Sequence, residues 1–338
     1  MRAYDQAVQE IRRSLPAQPE LRDLIRFATL APNAHNTQPW RFRPGPDHVD
    51  VLPDFTRRTP VVDPDDHHLY VTLGCAAENL VIAGNASGRP AAVTVLPDTG
   101  EGTGLRISLG RGPVSDRALC AAIPERQSTR SDYDGKPVPA PELATIERAA
   151  AMPGVQLQWI TDRARIEEAL AYVLEGNDAQ LDDPAFVREL GRWIRYNAAA
   201  ALASGDGLLG ACSGNPSAPD WLGPILFRLA FRKAPERAKL SRQLRSSAGL
   251  VVFVAEEEGP EGWIRVGRAF ERFALQTTAL GIRHAHVNMP VEVAGLRPAF
   301  AAWLGLPGRR PDLVIRFGRA DPMPPSIRRP LEDVIVRD

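Results

Sequence analysis

Two segments far apart in this chain follow one plan, and that constrains the fold more than any other feature. Residues 73–97 (LGCAAENLVIAGNASGRPAAVTVLP) parallel residues 266–290 (VGRAFERFALQTTALGIRHAHVNMP). Each has a small residue at the helix start, then a Glu, an apolar run, a Gly and an exit. Upstream, RFATLAPNAHNTQPWRF (26–42) parallels ERAAAMPGVQLQWI (147–160), with a helix end, a Pro, a short turn and a Trp opening a strand. The spacing is too long for a solenoid, so the pattern predicts two divergent copies of one unit packed as an internal pseudo-dimer.

Local signals fill in the units. Leu21, Leu24, Ile25 and Ala28 share one helical face over 20–31, and Pro32 ends the run. Strands are expected at 40–43, 49–52, 91–97 and 105–110. Between them lies a largely buried helix opening near Asp63 and Pro64 and closing near Gly84 or Gly88. The second half is expected to hold a helix at 141–151, a strand after Gly154, two or three helices over 163–245, and strands at 250–255 and 312–318. A long helix is expected at 263–281.

The 338 residues suit two domains, and 44% hydrophobic with 24% charged residues is ordinary for a globular chain. Forty-one basic residues balance 41 acidic ones, and residues 1–120 alone carry 13 and 14. That balance argues against nucleic acid or anionic lipid as partners. Cys75, Cys120 and Cys212 show neither metal spacing nor a disulfide framework. With no signal core and no membrane-spanning run, a cytoplasmic location is expected.

The segment Ala31-Pro32-Asn33-Ala34-His35-Asn36-Thr37-Gln38-Pro39-Trp40 packs hydrogen-bonding side chains into a turn between a helix and a strand. It reads either as a polar loop capping nearby backbone, or as a rigid platform for a planar polar heterocycle.

This segment resembles the A-P-S-x-x-N-x-Q-P-W segment of the nitroreductase-like flavoproteins. Three more pieces agree: Arg126-Gln127-Ser128-Thr129-Arg130 with Asp134-Gly135-Lys136-Pro137-Val138; the helices CAAENLVIAG and AFERFALQTTALG; and Arg328-Arg329-Pro330-Leu331-Glu332. Because the N-x-Q-P-W piece precedes the R-x-S-x-R piece in one chain, the order resembles the two-domain Acg-like branch, a fused dimer with one flavin site. The resemblance implies an α+β fold of tandem domains, 1–120 and 121–338, with antiparallel-rich sheets flanked by helices. The 163–245 insertion becomes a candidate lid.

The same resemblance implies FMN as cofactor. It puts Arg126 and Ser128 on the phosphate, with Arg328 or Arg329 as a second clamp, and Arg130 on the pyrimidine edge. Pro32, Asn33, Ala34, Asn36 and Gln38 would form the ring platform. His286, Val287 and Asn288 would lie near flavin N5, with a backbone N–H against it. The implied activity is ping-pong transfer from NADH or NADPH through flavin to a nitroaromatic or quinone. The alternative is an FMN-sequestering protein with a covered flavin and little reductase activity. No side chain is assigned as general acid or base. The monomer would act as the pseudo-dimer, with further self-association open.

Three other signals are set aside. DPDDHH at 63–68 is read as a helix start, because consecutive ligands radiate around the axis. His284 and His286 lack a third metal ligand nearby. Gly205-Asp206-Gly207-Leu208-Leu209-Gly210 fits G-x-G-x-x-G but follows an Ala-rich helix, not a strand.

Overall fold

The computed structural model describes residues 2–98 and 100–336. The first half comprises α1 (Arg2–Ile11), α2 (Leu21–Ala28), β1 (Trp40–Pro44), β2 (His48–Pro53), α3 (His67–Ala86), β3 (Ala91–Leu96), β4 (Gly104–Leu109) and α4 (Arg117–Ala122). The second half opens with α5 (Ala140–Ala150) and β5 (Val155–Ile160). A helical segment follows: α6 (Arg163–Asp182), α7 (Pro184–Trp193), β6 (Ile194–Arg195), α8 (Ala198–Ser204), β7 (Leu208–Leu209), α9 (Gly223–Ala230) and α10 (Lys233–Arg245). The chain then runs through β8 (Gly249–Ala255), α11 (Pro260–Ala279), β9 (Arg283–His286), α12 (Met289–Glu292), α13 (Arg297–Trp303) and β10 (Leu313–Gly318).

Two four-stranded sheets result, in the orders β1-β2-β4-β3 and β5-β8-β10-β9. Every ladder in both is antiparallel, and the strand order is the same in each half. The apolar run in β8 is explained by burial on both faces. Val251, Phe253 and Ala255 join the main core, while Leu250, Val252 and Val254 face a second core with Ile166 and Val173 of α6. The main core draws on both halves, from Leu24 and Trp40 to Phe273 and Phe317. The C-terminal tail crosses back: Phe42 donates its N–H to the Val334 carbonyl (2.7 Å), and Val336 donates to the Phe42 carbonyl (2.8 Å).

The central contact is α3 against α11. A Cβ on Gly267 would lie 1.9 Å from the Val71 carbonyl oxygen, and one on Gly74 2.1 Å from that of Ile264. The small residues at equivalent points of the two repeated segments therefore let the helix backbones touch. Buried Glu78 ties the pair from the side, accepting from Arg268 Nε (2.7 Å) and Arg272 Nη1 (2.8 Å).

Two expectations need correction. The helix expected from Asp63 begins at His67, because Asp66 takes a left-handed conformation (φ 58°). Asp63 still serves the helix start: its carboxylate accepts the N–H groups of His68 and Leu69, both at 3.0 Å. The 163–245 segment holds five helices, not two or three, because it contains its own stops and starts. Asp183 accepts from the Ala185 N–H to open α7, Asn197 accepts from the Ala200 N–H to open α8, and Gly205 (φ 66°) closes α8. No helix among the described residues is long and apolar enough to cross a membrane.

Gly267→Ala should force the crossing apart and cost about 1–3 kcal/mol of stability, as overpacking of a tight contact does. Gly191→Ala in α7, with open space around its Cα, should instead gain up to about 1 kcal/mol from helix propensity. Denaturant midpoints measured side by side check both.

Candidate functional site

The turn between α2 and β1 is strained and held from several sides. His35, Asn36 and Gln38 all have positive φ (48°, 55° and 56°), a region non-glycine residues rarely visit. Asn33 Oδ1 accepts from the Gln38 N–H (2.9 Å). Asn36 Nδ2 donates to the carbonyls of Gly207 (3.0 Å) and Ile327 (3.2 Å). Gln38 Nε2 donates to the Gly205 carbonyl (2.9 Å), and its Oε1 accepts from the Arg329 N–H (2.8 Å). Both amides are thus spent on fixing the turn against the 205–207 loop and the C-terminal tail.

Arg328 completes the fixation. Its Nε donates to the Thr29 carbonyl (2.6 Å), Nη1 to Asn36 Oδ1 (2.9 Å) and the Ile327 carbonyl (3.0 Å). Its Nη2 donates to the carbonyls of Leu30 (3.2 Å) and Ala31 (3.1 Å). All five donors are satisfied within the protein. Arg329 points elsewhere: Nη1 lies 3.9 Å from Asp54, and Nη2 donates to the Asp333 carbonyl.

Beside this turn runs a cleft with a narrow and a wide end, joined at Pro32, Asn33 and Arg130. The narrow end, about 50 Å³, brings together Arg12, Arg126, Ser128 and Arg328. Arg126 donates Nη2 to the Leu30 carbonyl (2.8 Å), yet its buried Nε and Nη1 have no acceptor. Glu271, fully buried, approaches Arg126 Nε at 3.6 Å without a hydrogen bond. Burial pushes the Glu271 carboxyl up to about 7, opposed by the Arg126 charge. Arg12 donates Nη1 to the carbonyls of Pro124 and Arg126, and burial beside Arg126 lowers it to about 10. Among the described residues, Glu271 is the one carboxylate ion-paired with this cluster. Positive charge is therefore in excess there.

The wide end, about 140 Å³, is lined by Pro32, Asn33 and Ala34 of the turn, Thr72 and Cys75 of α3, Phe270 of α11, and His286 and Asn288 around β9. His35 and His68 also face it. Burial first, and then Arg130 and His68, hold His35 down to about 4 and His286 to about 3. Both imidazoles are neutral at pH 7 and offer one donor and one acceptor each. The wide end mixes apolar walls with neutral polar groups where the narrow end is cationic.

Of the residues singled out from sequence, Pro32, Asn33, Ala34, Arg126, Ser128, Arg130, His286, Asn288 and Arg328 border the cleft, and Asn36 its narrow end. Gln38 and Arg329 border neither end. Val287 needs correction as a source of a free backbone N–H: it is buried and donates to the Val314 carbonyl (2.9 Å) inside the sheet. Sequence reasoning did not place Arg12, Thr72, Cys75, Phe270 or Glu292 at the cleft, nor Glu271 behind Arg126. The Arg12-Arg13-Ser14 echo of Arg126-Gln127-Ser128 was the available signal for the first.

The 63–68 segment also differs from expectation. Ligand atoms of Asp63, His67 and His68 lie within 4.8 Å of one another, so these side chains converge. Their partners are protein groups: Asp63 caps α3, and His67 Nε2 pairs with Asp312 at 2.7 Å.

The chain is 30% identical over 326 residues to Rv3131 of Mycobacterium tuberculosis, a protein provisionally named an NAD(P)H nitroreductase. The match takes in 93% of this chain and 90% of the relative. Rv3127 of the same organism, an uncharacterized protein, is 23% identical over 335 residues, covering 93% and 92%. Among solved structures, the FMN-dependent nitroreductase NfnB from Mycobacterium smegmatis, in complex with NADPH, aligns with 61% of this chain and 88% of its own. Its identity is 15% and its TM-score 0.40. No family model matches the chain. On the strength of the near full-length relationship to Rv3131, the chain belongs to the nitroreductase-like family.

Proposed function

We propose that the protein is an FMN-dependent oxidoreductase that takes electrons from NADH or NADPH and delivers them to a small-molecule acceptor such as a nitroaromatic compound or a quinone. The observation that carries this reading is Arg126: a buried guanidinium with two donor nitrogens lacking acceptors, in a cleft where cations outnumber carboxylates. Buried donors of that kind are costly unless a ligand completes them, and a phosphate dianion does so with charge-assisted hydrogen bonds. The name of Rv3131 supports the electron donor and the reaction class.

FMN, when bound, supplies the two-electron redox chemistry. The chain's own residues bind and orient it. Arg126, Ser128 and Arg12 hold the phosphate. Arg328 contributes charge and fixes the turn, but its donors are committed to the protein. Arg130, common to both ends of the cleft, is assigned to the pyrimidine edge, where a fixed cation favours added negative charge. Pro32, Asn33 and Ala34 form the platform; Asn36 and Gln38 are positioning residues behind it. His35, His286 and Asn288 provide neutral polar contacts on the wide wall.

We read residues 1–120 and 121–338 as two copies of one unit in the Acg-like arrangement. The shared strand order and the equivalent pairs Gly74/Gly267 and Glu78/Glu271 support this. A second reading, flavin sequestration under a closed cover, is favoured by one feature. The 205–207 loop is tied to the turn by Asn36 and Gln38, and Asp206 is bound by both Arg57 and Arg195.

Arg126→Gln should weaken FMN binding by roughly 10- to 100-fold, the size of one or two lost charge-assisted hydrogen bonds. Flavin fluorescence titration reads this, and unchanged affinity would refute the phosphate assignment. The raised carboxyl of Glu271 contributes stability that is present below about 4.5 and lost as pH rises through about 7. Glu271→Gln should therefore gain stability relative to the parent between those values and hold a constant advantage above them, as Tm against pH would record.

A further inference from the structure

The helical segment 163–245 borders the narrow end of the cleft at Leu208 and Cys212 and encloses a space of its own. Beneath α9 lies a cavity of about 310 Å³, larger than either end of the cleft. Leu190, Ile194 and Tyr196 form one wall, Leu208 and Leu209 the floor, and Leu226, Phe227 and Phe231 the roof. Phe227 and Phe231 stack with centroids 4.7 Å apart. Polar groups are few. Glu236 and Lys239 neutralise each other at 3.3 Å, while Arg130 stands at the border shared with the cleft.

Arg130 gives the cavity its chemistry. Its guanidinium donates to no protein acceptor among the described residues and has no carboxylate partner, although its own carbonyl accepts from Gln243 Nε2 (2.5 Å). A cationic ligand would be repelled, and a purely apolar one would leave Arg130 desolvated and unpartnered. An apolar molecule with one anionic head satisfies both walls and cation. The roof also admits a ligand: in α9 only Gly223 is buried, and Trp221, just before the helix, and Leu229 within it are exposed.

We propose that this cavity is a binding site for an apolar organic anion, its aromatic or branched hydrocarbon body under α9 and its head group on Arg130. The site stands on the cavity and on Arg130, whose five N–H donors outnumber the acceptors of a flavin's pyrimidine edge, so the head group takes donors that a bound flavin leaves over.

The test uses the full chain as purified and the probe 8-anilinonaphthalene-1-sulfonate, with neutral N-phenyl-1-naphthylamine as comparator. The sulfonate should bind one per chain and at least tenfold more tightly than the neutral probe. Ala218→Phe fills the cavity from inside and Leu226→Asp puts a carboxylate at its mouth. Each should weaken sulfonate binding at least tenfold while leaving circular dichroism and bound-flavin absorbance as in the parent. Trp221→Ser, on the outer face, should change the affinity less than twofold. Absence of one-to-one binding, equal affinity for both probes, indifference to both cavity variants, or loss of flavin together with the probe would overturn the proposal. A protein that binds the sulfonate as expected but carries no flavin would refute the oxidoreductase reading and leave this site standing.

Discussion

Backbone contact between α3 and α11 is the constraint on which the rest of the structure depends. At Gly74 and Gly267 the helices approach so closely that a single added carbon would collide with a carbonyl oxygen. Cys75 Sγ donates to the Gly267 carbonyl at 3.1 Å within the same contact. Thr72, Cys75 and Phe270, from the two helices, consequently meet on one wall of the cleft, and Glu271 comes beneath Arg126. A wider crossing would separate the halves and with them the two sides of the site.

Above that crossing the cleft is prepared by strain and by unbalanced charge. Three left-handed residues in the Asn33–Gln38 turn persist because Asn36, Gln38 and Arg328 over-determine the backbone around them. The side-chain hydrogen bonds of Asn36, Gln38 and Arg328 go to the protein itself and hold the turn in place. At the narrow end the protein keeps buried cations close together with one carboxylate beside them. Such an arrangement is costly alone and becomes favourable when an anion enters.

Much of this was legible in the sequence, for identifiable reasons. The similarity of residues 73–97 and 266–290 agrees with the shared strand order, because each segment carries the same small-residue, Glu and apolar pattern. Arg126, Arg130 and Asn36 stood out because they fall at the matching positions of recognisable motifs. Donor accounting did not follow from the motif. That Arg328 and Asn36 are consumed by backbone carbonyls, or that the Val287 N–H is spent in a ladder, depends on partners up to 299 residues away. The start of α3 was missed by a few residues because Asp63 caps from outside the helix. The five-helix segment was compressed because its caps, Asp183 and Asn197, resemble ordinary polar surface residues.

Both halves of this chain are proposed to build one flavin site that is open to electron transfer. An anaerobic visible spectrum of the purified protein, recorded before and after NADPH or NADH is added, tests it most directly. The protein should show a flavin band that bleaches promptly on addition. A band that persists would contradict the reductase and favour a sealed flavin under the 205–207 loop, and a protein unable to take up FMN at all would contradict the site itself.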